Sequence, residues 1–168
     1  TFTFTYPANA TSDLFVCVGL MGSKGTIYYD NIQLEEGTIA NPYNMVENSA
    51  FDYPGDTDKN WEVLNGTSIW DSVATTAGHN LFRLYGDTSK VKWVRQQVIT
   101  SGQTGDTFSV SAWVFAGGTR NRGNVCTTIA INVVGNNNEE QWSSVAINPS
   151  DRWQFVQTEF VAQRAYKR

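Results

Sequence analysis

The chain has 168 residues, 17% of them charged and 13% aromatic, and carries a net charge of −4 at pH 7. That length suits one domain with a sizeable core and is short for two. The charge balance leaves no electrostatic footprint for nucleic acid or an anionic membrane, and no window reaches the roughly 18 apolar residues of a membrane span, so neither partner is expected.

Nothing reads as a long amphipathic helix. Short alternating runs between turn signals point instead to an all-β sandwich or barrel. In chain order, strands are expected at 1–6, 13–20, 25–34, 43–46, 61–64, 80–85, 91–99, 106–116, 125–134, 140–147 and 153–161. The first run, Thr1-Phe-Thr-Phe-Thr5, begins without an initiator Met, which marks the chain as part of something longer. Met21–Gly25 is expected to turn a hairpin between the second and third strands.

Asp30 stands out in the run Gly25-Thr-Ile-Tyr-Tyr-Asp-Asn-Ile-Gln-Leu34. It shares strand parity with Tyr28, Ile32 and Leu34, which places it on the apolar face. A carboxylate there needs a cation or hydrogen-bond donors. Cys17 and Cys126 lie in strand-like runs far apart; a disulfide stays open, and two buried thiols are favoured because Cys packs as a small hydrophobe.

Catalysis finds little support. His79, the sole histidine, lies between Gly78 and Asn80 in a turn, which excludes His-based triads and multi-His metal sites. The carboxylates fall in loops, so the chain is expected not to be an enzyme.

The later strands suggest a binding face. In Val91–Ile99, Val94, Gln96 and Val98 share one face, while Trp93, Arg95 and Gln97 share the other. In 106–116, Phe108, Val110, Ala112 and Val114 oppose Ser109, Ser111, Trp113 and Phe115. Tyr85 and Arg83 similarly oppose Phe82 and Leu84. Outward Trp, Arg and Gln side chains suit stacking on pyranose rings and bonding to hydroxyls, unless a loop or neighbouring domain covers them. Trp93, Arg95, Gln97 and Trp113 are therefore candidate carbohydrate contacts, with Trp70 and Tyr85 beside them.

One family shares the order of these motifs. The chain places Gly25-Thr-Ile-Tyr-Tyr-Asp-Asn-Ile-Gln-Leu-Glu-Glu-Gly37 before a short linker, then Asn44-Met-Val-Glu-Asn-Ser-Ala-Phe-Asp52, Trp61, Gln97-Val-Ile99 and Phe108–Ala116. It resembles tandem carbohydrate-binding-module-like domains with the galactose-binding-type jelly-roll fold, found in bacterial secreted and cell-surface proteins. The resemblance implies a non-catalytic carbohydrate-binding module of a larger extracellular protein, with a polysaccharide or glycan and adjacent repeats as partners. A sugar-free spacer or adhesin repeat is the alternative. It also implies a structural calcium (Ca2+) site at Asp30 and Asp52, with Asn48 and Glu47 as further oxygen donors. Without calcium, Asp30 would accept backbone N–H bonds and Asp52 would cap a turn. Trp61 and Trp153 match packing positions of the family.

In that family the Asn44–Asp52-like segment opens a domain and the Tyr28–Leu34-like strand closes it. Here the order is reversed. Residues 1–37 are therefore read as the closing strands of a repeat, 38–43 as a linker, and 44–168 as the next sandwich, which would otherwise expose an open edge. Residues 1–37 would complete that sandwich within their own chain, or complete a second copy by strand exchange in a homo-oligomer.

Overall fold

The computed structural model describes residues 14–22, 24–36, 44–66, 71–98, 102–117, 127–134 and 140–163. They form two antiparallel five-stranded sheets. The strands are β1 (Leu14–Met21), β2 (Thr26–Glu36), β3 (Glu62–Leu64), β4 (Ser72–Thr76), β5 (His79–Tyr85), β6 (Val91–Val98), β7 (Thr107–Ala116), β8 (Thr127–Val134), β9 (Glu140–Ile147) and β10 (Ser150–Val161). One sheet runs β3-β6-β1-β8-β9 and the other β10-β7-β2-β5-β4. The all-β, two-sheet expectation holds. The expected strand at 1–6 lies outside the described residues.

The core follows from period-two alternation. Val16, Val18 and Leu20 of β1, Val94 of β6, and Ile129 and Ile131 of β8 face Ile27 and Tyr29 of β2, Leu84 of β5, and Phe108, Val110 and Val114 of β7. All are fully buried. Phe51 and Trp61 close one end, with ring centroids 5.2 Å apart, so Trp61 packs as expected.

The N-terminal strands do not close an edge. β1 is the middle strand of its sheet, between β6 and β8, and β2 is the middle strand of the other, between β7 and β5. Without them each sheet would lose its centre. Met21–Gly25 is not a hairpin, because β1 and β2 belong to different sheets. Its backbone bonds instead to the β5–β6 connection, with Gly22 N–H donating to Lys90 O at 3.1 Å and Gly86 N–H donating to Gly25 O at 2.5 Å.

The run at 43–46 is not a strand in its described part, Asn44–Val46. The Asn44 side chain takes the pairing role there. Its Oδ1 accepts from Leu34 N–H and Val46 N–H at 3.2 and 3.0 Å, and its Nδ2 donates to Ile32 O at 3.1 Å. Strand β4 escaped the sequence reading because Ser-Val-Ala-Thr-Thr lacks large alternating apolar residues; it is a partly exposed edge. Ala77 and Gly78 both have positive φ (51° and 83°), as a two-residue hairpin turn requires, and they join β4 to β5.

Asp30 does not face the core. From Asp30 to Gln33, β2 advances three residues while β7 advances two, from Trp113 to Ser111. Asn31, at φ 50°, forms this bulge. Before it Ile27 and Tyr29 point inward; after it Ile32 and Leu34 do. The extra residue reverses the parity, so Tyr28 and Asp30 point outward.

Candidate functional site

The outer face of the β10-β7-β2-β5-β4 sheet carries a continuous aromatic strip. On β7 the inward residues Phe108, Val110, Ala112 and Val114 leave Trp113 and Phe115 on the outside. On β10, inward Thr158 and Phe160 leave Trp153 and Phe155 outside. Antiparallel register sets Trp153 beside Phe115, Phe155 beside Trp113, and Tyr28 of β2 on the other side of Phe115. The ring centroids are 5.9 Å apart for Phe115–Trp153, 5.8 Å for Tyr28–Phe115 and 5.6 Å for Trp113–Phe155. Arg83 is the β5 neighbour of Tyr28, and its Cζ lies 5.5 Å from the Tyr85 ring centroid. Trp113, Trp153 and Phe155 remain 45%, 44% and 55% exposed. Trp153, a packing position by the family resemblance, faces outward because it alternates in unbroken register with inward Thr158 and Phe160.

The other sheet treats its outer aromatics differently. Trp93 of β6 and Trp142 of β9 lie on either side of β1 and β8, with Trp142 displaced four residues along β9 from Ala146, the residue level with Trp93. Their side chains lean inward and stack over the two middle strands, with centroids 5.8 Å apart at 30°. Gly19 makes this possible, since a Cβ there would overlap the Trp93 ring and the Lys92 carbonyl. Cys17, Thr128 and Ala130, which alternate with core residues, are nevertheless buried. Cys17 is a buried thiol; Cys126 lies outside the described residues.

The expected carbohydrate contacts therefore do not form one site. Trp93, Arg95 and Gln97 lie on one outer face, and Trp113 and Tyr85 on the opposite one; Trp70 lies outside the described residues. Arg95 is held by Glu62, Nη2 to Oε2 at 2.8 Å, and covers Phe15 with its Cζ 4.9 Å from the ring centroid. A polar cleft of about 640 Å³ opens beside it, lined by Glu47, Asn60, Glu62, Arg95 and Gln97 among others.

The four expected calcium donors are also divided. Asp30 and Asp52 line one small cleft of about 150 Å³, with His79 and Asn80. Burial raises the Asp30 carboxyl above its ordinary pKa; the Asn31 N–H bond and the His79 charge oppose this, and Asp52 adds to it. Asn48 is committed to its own loop. Its Oδ1 accepts from the N–H groups of Asp52 and Tyr53 at 3.0 and 3.1 Å, and its Nδ2 donates to Thr57 O and Lys59 O at 3.0 and 3.1 Å. Glu47 lines the larger cleft and accepts from the Asn60 amide. Among the described residues, no group of three or more His, Cys, Asp or Glu side chains is placed to hold a metal ion. His79 is exposed, and it begins β5 rather than lying in the turn.

Between the sheets lies an ion pair that sequence reading missed. Lys92 shares the inward parity of Val94 and Gln96, and its Nζ donates to Asp71 Oδ2 at 2.7 Å with both side chains buried. Asp71 Oδ1 accepts the Tyr85 N–H at 2.8 Å. The pair thereby ties β6 of one sheet to β5 of the other. The inward parity of Lys92 was the only available signal.

No protein-family model and no solved structure matches the chain. Two curated relatives are similar to it over 105 residues at 30% identity, the tRNA(Glu)-specific nuclease WapA of Bacillus subtilis subsp. natto and the tRNA nuclease WapA of Bacillus subtilis. The match covers 61% of this chain and 4% of each relative, so the chain spans a small fraction of their length. This finding corrects four expectations: a carbohydrate-binding or spacer module, the absence of enzymatic function, a glycan partner, and the exclusion of nucleic acid. The similarity leads to nucleases that act on tRNA. The physical reason for the error is plain. An aromatic face stacks equally well on pyranose rings and on nucleobases, and net charge reports phosphate contacts rather than base stacking.

Proposed function

We propose that this chain is an RNA-engaging domain of a larger nuclease. The single observation that carries this reading is the 30% identity to two tRNA nucleases. The exposed rings support it, because sequence-tolerant RNA contact depends on aromatic stacking. The activity belongs to the relatives as whole proteins; for this chain it is a proposal.

We infer that the sandwich is a jelly roll of the galactose-binding type. Its connectivity supports this: among the described strands, every connection except β4–β5 and β8–β9 passes from one sheet to the other.

The test is incubation of the chain with a tRNA transcript. Native electrophoresis is expected to show a complex, and an unshifted tRNA at high protein concentration contradicts the reading. Denaturing electrophoresis of the same samples shows whether strand scission arises within these 168 residues.

A further inference from the structure

We propose that the outer face built by β10, β7, β2 and β5 is a stacking surface for unpaired RNA bases, an inference that rests on the RNA reading above. The geometry sets Trp153 and Phe155 on β10 beside Phe115 and Trp113 on β7, with Tyr28 following on β2. The rings make edge and tilted contacts at 5.6–5.9 Å, which leaves part of each ring face open to solvent. Exposure of 44–55% at Trp113, Trp153 and Phe155 is a large apolar surface for a soluble sheet, and such patches mark contact sites.

The chemistry selects unpaired bases. Same-face residues on a strand are about 6.8 Å apart, which equals two base rises of about 3.4 Å. Bases that meet Trp113 and Phe115, or Trp153 and Phe155, are therefore spread to about twice their stacked spacing, as in an extended strand whose bases have come apart. A duplex hides its base faces within its own stack and offers such a surface only phosphate and sugar. Polar groups border the rings: Arg83 and Asp30 on one side, and Gln157, which donates to Ser109 Oγ at 2.7 Å, on the other. A guanidinium, a carboxylate and an amide supply hydrogen bonds to base edges. Among the described residues the opposite sheet exposes one large aromatic ring, Trp142, and it is already stacked on Trp93.

The test is fluorescence anisotropy of a labelled oligouridine dodecamer, the same strand in a duplex, and a tRNA transcript, each titrated with the chain. The single strand is expected to bind and to quench tryptophan emission, and the duplex to bind about tenfold or more weakly. Trp113→Ala/Phe155→Ala is expected to weaken single-strand binding by about tenfold or more while circular dichroism shows an intact fold. Trp142→Ala on the other sheet is expected to leave it unchanged. Binding that survives Trp113→Ala/Phe155→Ala, or that is lost with Trp142→Ala, overturns this surface and leaves the RNA reading standing. Failure of the wild-type chain to bind any of the three RNAs overturns both. If the double variant instead converts a dimer to a monomer with RNA binding unaltered, the face docks protein and the inference is overturned.

Discussion

The Trp93 indole lies directly over Gly19, its cross-strand partner on β1, in space that any side chain at that position would occupy. This contact decides how the two outer faces differ. Over Gly19 the indole reaches Trp142, and the two rings cover the small residues of β1 and β8. On the other sheet the middle strand carries Tyr28 and Asp30 at the corresponding outward positions, so the aromatics stand beside one another and stay exposed.

Gly19→Ala should cost about 1–3 kcal/mol, because the added methyl forces the Trp93 ring or the β6 backbone to move. Denaturant unfolding measures the loss, and near-ultraviolet circular dichroism should report the disturbed Trp93–Trp142 stack. Wild-type stability and spectrum in the variant would contradict the contact.

Lys92→Met should cost about 3–5 kcal/mol, since it leaves the Asp71 carboxylate buried without its cation. Lys92→Met/Asp71→Asn should recover part of that loss, because neither charge remains and the amide oxygen can still accept the Tyr85 N–H. A double variant as unstable as the sum of the two single variants would show that the groups are not coupled.

Asp30→Asn should stabilise the fold at neutral pH. Burial raises the carboxyl pKa in the folded chain, so the folded state keeps a proton that the unfolded chain has already lost. Stability contributed by this site is therefore full below the ordinary value of 3.8 and falls as pH rises through the folded pKa. The amide retains an acceptor for Asn31 N–H, which Asp30 Oδ1 binds at 2.7 Å. Thermal melts of both proteins should differ at neutral pH and converge below 3.8; a variant less stable at neutral pH contradicts the assignment.

Residues 1–37 are expected to complete the sandwich of their own chain rather than of a second copy, which predicts a monomer. β1 and β2 pair on both sides with strands of the same chain, and Met45 N–H donates to Leu34 O at 3.0 Å immediately after the 37–43 segment. Size-exclusion chromatography with light scattering should give the mass of one chain. A concentration-independent mass of two chains would instead indicate strand exchange.

Much of the fold was legible because alternation in β6 and β7 is strict. Val94, Gln96 and Val98 point inward and Trp93, Arg95 and Gln97 outward, as the period of two requires. What stayed hidden depends on pairing. The bulge at Asn31 reversed the face of Asp30, and nothing local in the sequence announces an extra residue. The sheet assignment separated Trp93 from Trp113, because parity gives a residue's side of its strand and not the sheet to which that strand belongs. Phe155, Phe115 and Tyr28 became part of one strip only through the β10–β7–β2 register. The Lys92–Asp71 pair stayed hidden because its members lie 21 residues apart and only the fold brings them within 2.7 Å.

Ultraviolet cross-linking of the chain to a uridine-rich single-stranded RNA, with adducts located by mass spectrometry, tests the stacking surface residue by residue. Adducts are expected on Trp113, Phe115, Trp153 or Phe155. Adducts confined to Trp93 and Trp142, or none at RNA concentrations that saturate binding, would contradict it.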